Sequence, residues 1–210
     1  MLIGLAANRL HHQSENGALF ALLRACEPGV RELKIGFHAV GRTYDAIAAA
    51  GMLQGYSGLQ RYPYGRDGGL MKLVAEVVGM GPDCTLDGAI YLTDPVDPSS
   101  IFPEALALKR QCVIHGKPFL STVASARDWV EMERIHAGLP RDRGADRFHD
   151  YASQTLALIA HDAMKPTMLE FVARNFDLLS RYRRRVGTGT TGQKLNEMAW
   201  SKGWPADTPW

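Results

Sequence analysis

Two short runs near the carboxyl end carry residue types suited to one piece of chemistry. His161, Asp162 and Lys165 form the first; Thr188, Gly189, Thr190, Thr191 and Gly192 form the second. In the second run, glycines let the backbone approach an oxyanion closely, and threonine hydroxyls donate without adding bulk. A helix starting there would add free N–H groups and a partial positive charge. Lys165 supplies a full charge, and the set suits a phosphate. It matches neither the Walker pattern, which needs Gly-Lys-Ser/Thr, nor the dinucleotide pattern GxGxxG. Each part also has a plain reading. The Thr/Gly run could be a turn, His161-Asp162 a helix cap, and Lys165, before Pro166, a solvated first-turn lysine.

The elements that must position these residues can be read around them. Residues 156–160 are an apolar run of the length of a buried strand, and it stops at His161-Asp162. Met164, Met168, Leu169, Phe171, Val172 and Phe176 then recur at helical spacing. A second strand is expected to end near Val186. The order is strand, helix, strand, Thr/Gly loop, helix.

A strand ending in Ala-His-Asp, a lysine three residues after the Asp, and Thr-Gly-Thr-Thr-Gly after the next strand together resemble the methylglyoxal synthase family. That family eliminates phosphate from dihydroxyacetone phosphate on a flavodoxin-like α/β domain. The resemblance here is to the first half of that domain. It implies an α/β fold, three-layer α/β/α with a parallel sheet of the methylglyoxal synthase-like type.

An internal repeat appears when the start of the chain is laid under this stretch. Residues 2–6 are strand-like; Ala18, Leu19, Leu22 and Leu23 make a helical stripe that Glu27-Pro28-Gly29 is expected to break; residues 33–37 form the next strand. Ala7-Asn8 then stands where His161-Asp162 stands, and Val40-Gly41-Arg42-Thr43-Tyr44 where Thr188 to Gly192 stands. The architecture repeats with different chemistry. From Arg61 the family has a turn of the form SGPxGGD whose Asp is the general base. This chain keeps Pro63, Gly65 and Asp67 but carries Arg61, Tyr62 and Arg66 at the other positions. Leu70, Leu73, Val74 and Val77 fit the following helix.

Residues 88–92 read as a buried strand ended by Thr93-Asp94-Pro95, which puts Asp94 at the carboxyl edge of the sheet, where ligands bind in open α/β folds. The resemblance places Ile101 where the family has a carbonyl-polarising histidine, and Glu104 at a following acid. Residues 102–114 are expected as helix, 118–122 as strand, and 125–135 as a helix capped by Ser125. The expected organisation is a domain over 1–137, a linker over 138–154 and a repeat of the domain's first half over 155–210, ending before any counterpart of Asp67. A half sheet with open edges would be poorly stable alone.

The resemblance implies Asp67, Asp94 and Asp162 as catalytic carboxylates. His161, Lys165, Thr188, Gly189, Thr190, Thr191 and Gly192 would hold the substrate or its phosphate, with no metal and no organic cofactor. By residue type alone, Asp67 is equally a turn residue and Asp94 a strand terminator. Residues 155–198 could pair with 60–135, within a chain or by exchange between chains. Otherwise 1–135 folds with an incomplete appendage, or the chain is a piece of a longer tandem protein. The alternative function is a non-catalytic phosphate-binding or regulatory domain, with Arg42 and Arg61 holding an anion bidentately.

Bulk properties bound these readings. With 210 residues, 46% hydrophobic and 22% charged, one domain or one and a half of ordinary globular composition is expected. A net charge of +2 is too small to point to nucleic acid. Cys26, Cys84 and Cys112 are far apart with no CxxC, which suggests neither a zinc site nor a disulfide framework. No apolar run approaches a membrane span, and the N-terminal one is short for a signal peptide. The chain therefore reads as reduced and cytoplasmic, with no membrane partner. Residues 181–185, rich in arginine, read as a solvated helix end or an oligomer contact, and His115, His136 and His149 as surface residues. The family's assembly implies a homo-oligomer.

Overall fold

The computed structural model describes residues 1–81, 84–141 and 150–210. The chain divides into two compact units, Met1–Arg141 and Asp142–Trp210. Residues 142–149 of the expected linker, His149 among them, lie outside the described residues.

The first unit contains β1 (Leu2–Ala7), α1 (Leu10–Gln13), α2 (Ala18–Glu32), β2 (Gly36–Ala39), α3 (Gly41–Ala49) and β3 (Leu59–Arg61). It continues with α4 (Gly69–Val78), β4 (Gly88–Leu92), α5 (Pro103–Ile114), β5 (Phe119–Leu120) and α6 (Val123–His136). The strands form one parallel sheet in the order β3-β2-β1-β4-β5. This is the expected three-layer α/β/α class. The order is 3-2-1-4-5 rather than the flavodoxin 2-1-3-4-5, so the direction reverses between β1 and β4.

Alternation along the strands builds the two cores. Ile3, Leu5, Phe37, Ile90 and Leu92 point to one face, against Leu19, Leu22 and Leu23 of α2, Ile47 of α3 and Val130 of α6. Ala6, Ala89 and Tyr91 point to the other, against Leu73 and Val77 of α4 and Leu108 and Cys112 of α5. All five residues of β4 are buried, as suits a central strand covered on both faces.

Packing overrides several local expectations. Pro28 does not break α2: the helix continues to Glu32 with the proline inside. Gly29 lies so close to α6 that a Cβ there would stand 3.0 Å from Val130 and from Arg134. The contact with α6 thus offsets the hydrogen bond and clash that an interior proline costs, about 3 kcal/mol. β2 begins at Gly36, three residues later than expected. β5 shortens to Phe119–Leu120, since only those residues pair with β4. Thr122, not Ser125, caps α6; the two side chains form a reciprocal capping box in which Ser125 occupies the third helical position.

The second unit contains β6 (Thr155–Leu158), α7 (Lys165–Arg174), α8 (Phe176–Ser180), β7 (Arg184–Gly187) and α9 (Gly189–Ser201). β6 and β7 pair in parallel as a two-stranded sheet. Arg184 and Arg185 of the basic run are strand residues rather than a helix end. The small core comprises Leu158, Val172, Leu179, Leu195, Ala199 and Trp210. Trp210 stacks on Phe176 at 5.4 Å, and its indole N–H donates to Ser180 Oγ at 2.8 Å. Ile159, Met164, Phe171 and Val186 remain exposed. Among the described residues, no helix is long and apolar enough to cross a membrane.

Gly69 opens α4 where the chain turns back from β3, and a Cβ there would lie 2.1 Å from the Pro63 carbonyl oxygen. Gly69→Ala is therefore expected to destabilise the fold by about 1–3 kcal/mol, read from urea unfolding, because backbone rather than a flexible side chain must move.

Candidate functional site

In the second unit, β7 runs directly into α9. Thr188 is the N-cap, and Gly189, Thr190, Thr191 and Gly192 form the first turn of the helix rather than a loop before it. Gly187 and Gly192 let strand and helix approach: a Cβ on Gly187 would meet the Gly192 backbone at 3.1 Å. His161 precedes a 3₁₀ turn at Asp162–Met164 that leads into α7. This brings three of the expected residues together. Lys165 Nζ donates to the Asp162 carboxylate and to Thr190 Oγ1. The Lys165 hydrogen bond and charge hold the Asp162 carboxyl below the usual carboxylate range.

Thr191 is buried, and the Thr188 hydroxyl donates to its Oγ1 at 3.4 Å. Asp162 is open to solvent, whereas the Lys165 side chain is 12% exposed. His161 faces a separate, largely apolar depression with Ile159, Met164, Met168 and Phe171. The corner therefore presents an ammonium, hydroxyls and the N–H groups of a thirteen-residue helix, a set that attracts an oxyanion.

The first unit has an equivalent corner. Leu5 pairs with Ala39, two residues before α3, as Leu158 pairs with Gly187, two residues before α9. Three residues beyond each, the Asn8 carbonyl accepts from His11 N–H at 3.0 Å and the His161 carbonyl from Met164 N–H at 2.8 Å. The counterpart of His161 is thus Asn8, and that of Asp162 is Arg9. This corrects the correspondence expected from sequence by one residue. His12 then matches Lys165, and Arg42 matches Thr190.

These residues line a cleft of about 320 Å³ at the carboxyl end of the sheet, beside the β1–β4 reversal. Arg9, Arg42 and Arg66 supply positive charge, His12 an imidazole, Asp97 and Glu104 negative charge, and Tyr64, Leu70, Tyr91 and Phe102 apolar wall. Burial, with the charges of Arg42, His11 and Arg9, holds the His12 imidazole below its ordinary value. Arg9, His12 and Arg66 were not singled out from sequence. For Arg9 and His12 the available signal was the likeness of the two strand–helix–strand stretches, read one residue later; Arg66 had no such signal.

Other expected residues lie elsewhere. Asp67 ends a 3₁₀ turn with its side chain 56% exposed, 3.7 Å from Arg66, and does not line the cleft. Asp94 is buried in the turn after β4; its Oδ1 accepts from Val96 N–H at 3.1 Å, the bond of a strand terminator. Arg61 does not reach the cleft, because Asp45 takes its guanidinium at 2.9 and 3.2 Å and Tyr64 packs against it. Ile101 is largely exposed, while Glu104 borders the cleft.

No protein-family model matches the chain. Over 44 residues it is 50% identical to methylglyoxal synthase from two strains of Thermus thermophilus. The match covers 21% of this chain and 34% of each relative, so the chain spans about a third of the length of the curated relatives it matches. A crystal structure of methylglyoxal synthase from Elizabethkingia anophelis aligns with a TM-score of 0.47 and 21% identity, over 70% of this chain and 90% of that one.

Proposed function

We propose that the chain acts on a small phosphorylated metabolite by the methylglyoxal synthase reaction, releasing phosphate from dihydroxyacetone phosphate. The observation that carries this reading is the meeting of Lys165, Asp162 and Thr190 at the start of α9. The local 50% identity to methylglyoxal synthases supports it. Residues 155–210 are read as a partial duplication of the domain's first half.

In this reading Lys165, the hydroxyls of Thr188 and Thr190, and the first N–H groups of α9 hold the phosphate, with Asp162 beside the substrate and His161 required to turn from its apolar depression to join them. Thr191 orients Thr188. A carboxylate removes a proton from the carbon next to the carbonyl, and the electron pair forms an enediolate. The carbon–oxygen bond to phosphate breaks, its electron pair leaves with the phosphate, and the enol takes up a proton to give methylglyoxal. The phosphate-holding groups stabilise the leaving charge, so the scheme invokes no metal or organic cofactor. Asp67 is the assigned base, and Asp94 acts through the turn it braces.

Asp67 and Lys165 belong to different units, so the reading requires them to meet, within one chain or between copies of a cytoplasmic homo-oligomer. Methylglyoxal formation by the purified chain tests this. Lys165→Met and Asp67→Asn are each expected to lower turnover by about 100-fold or more. An equal mixture of the two variants regains activity if the site is shared between chains, and stays inactive if it forms within one. A wild-type chain without turnover overturns the reading.

The cleft of the first unit supports a second reading, a phosphate monoester held without turnover. Arg9, Arg42 and Arg66 converge there with His12, and guanidinium groups hold phosphate bidentately. An anion in the cleft favours the charged imidazole, so phosphate is expected to raise the depressed His12 pKa. By linkage, its affinity grows as pH falls through that value. NMR titration of His12 with and without phosphate reads this, and Arg42→Gln is expected to remove the response. Identical titrations with and without phosphate refute it.

A further inference from the structure

One polar cluster lies apart from both corners. His38 is the polar residue on the β2 face that packs against α4, and it is 5% exposed. Glu76, on α4, is 0% exposed. Tyr62 follows β3, and Cys84 lies on the approach to β4. His38 Nδ1 stands 3.5 Å from Glu76 Oε2 and 3.7 Å from Cys84 Sγ. One donor atom from each of the three lies within 4.8 Å of the others. The Tyr62 hydroxyl is 2.7 and 2.6 Å from the two Glu76 oxygens, touches His38 Nδ1, and is 3.9 Å from Cys84 Sγ. Lys72 Nζ reaches Glu76 Oε1 at 3.9 Å over the Tyr62 ring.

Three features fit a metal ion. The first is geometry. Tetrahedral zinc, with bonds of about 2.0–2.1 Å to nitrogen, 2.1 Å to oxygen and 2.3 Å to sulfur, has nitrogen–oxygen and nitrogen–sulfur edges of about 3.4 and 3.6 Å. The 3.5 and 3.7 Å separations here match those edges. The second is charge. A fully buried carboxylate is costly, and Lys72 touches only its edge; a divalent ion balances Glu76 together with a Cys84 thiolate. The third is donor type, since imidazole, thiolate and carboxylate form a set that suits zinc. Cys26 and Cys112 differ: they sit in the apolar cores, where burial pushes each thiol up to about 11.

We propose that His38, Glu76 and Cys84, with the Tyr62 oxygen at the fourth position, hold a divalent ion of the zinc class. To bind it, the Cys84 thiol loses its proton to solvent, and the Tyr62 hydroxyl gives up its place between the donors and either coordinates through oxygen, likewise losing its proton to solvent, or withdraws in favour of water. The ion ties β2 to the chain after β3, to α4 and to the approach to β4. It thereby braces the turn that carries Tyr64, Arg66 and Asp67, and it does so independently of either function proposed above.

The test uses the full untagged chain, freed of metal by dialysis against a chelator. Zinc titrated against a chromophoric competitor is expected to bind one to one and to raise the melting temperature. Cobalt(II) is expected to give a thiolate-to-cobalt charge-transfer band. Cys84→Ser removes that band and weakens zinc binding by more than about 100-fold, while Cys26→Ser leaves both unchanged. His38→Gln is the second variant, and circular dichroism confirms that each is folded. A folded wild-type chain that binds neither zinc nor cobalt, or a folded Cys84→Ser chain with the wild-type spectrum, overturns the proposal and leaves a hydrogen-bonded quartet.

Discussion

The carboxyl end of the first unit's sheet depends on one side chain, Asn8. At the β1–β4 boundary the strand order reverses and the connections diverge, leaving backbone groups that no ladder satisfies. Asn8 supplies the partners. Its Oδ1 accepts from Asp94 N–H at 3.1 Å and from the Ser100 hydroxyl at 2.9 Å, and its Nδ2 donates to Ser99 Oγ at 2.8 Å. Its own main-chain N–H donates to the Leu92 carbonyl at 2.9 Å. A buried group left without such a partner costs about 1–3 kcal/mol, so the floor of the cleft and the turn holding Asp94 stand or fall with this residue. The Arg9 and His12 side chains enter the cleft from the backbone that Asn8 anchors.

The two units solve one geometrical problem with opposite chemistry. In each, a parallel strand pair delivers a helix N-terminus beside a short turn from the first strand. In the second unit that corner holds a carboxylate, an ammonium and threonine hydroxyls; in the first it holds two arginines and a histidine. Lys165 holds its Asp162 partner's carboxyl below the usual range, whereas burial and neighbouring positive charge hold the His12 imidazole below its own. A shared backbone frame therefore does not imply shared reactivity, because charge at the corner is set by a few side chains the frame leaves free.

The arginines also show how neighbours redirect a side chain. Arg61 and Arg42 look alike as anion ligands, yet Asp45, one turn into α3, takes Arg61 in two hydrogen bonds on the outside of the sheet. Arg42, at the start of the same helix, stays in the cleft. The quartet of buried His38, Tyr62 and Glu76 with half-buried Cys84 follows the same logic at the edge of the core: four polar groups are tolerated there because each finds the others.

Some of this was legible in residue order. Apolar runs at 2–6, 88–92 and 156–160, the helical stripes, and the Thr/Gly run after a strand all depend on local periodicity and backbone preference, which act between near neighbours. Lys165, Asp162 and Thr190 were legible as a set because a strand–helix–strand unit has few ways to place them. The passage of α2 through Pro28, the one-residue shift in the correspondence of the two corners, the loss of Arg61 to Asp45 and the convergence of Cys84 on His38 were decided only in three dimensions. Cysteine spacing gives no sign of that cluster, since its members come from four different segments. Contacts between segments far apart in sequence carry energies as large as local preferences, and no periodicity records which segments will meet.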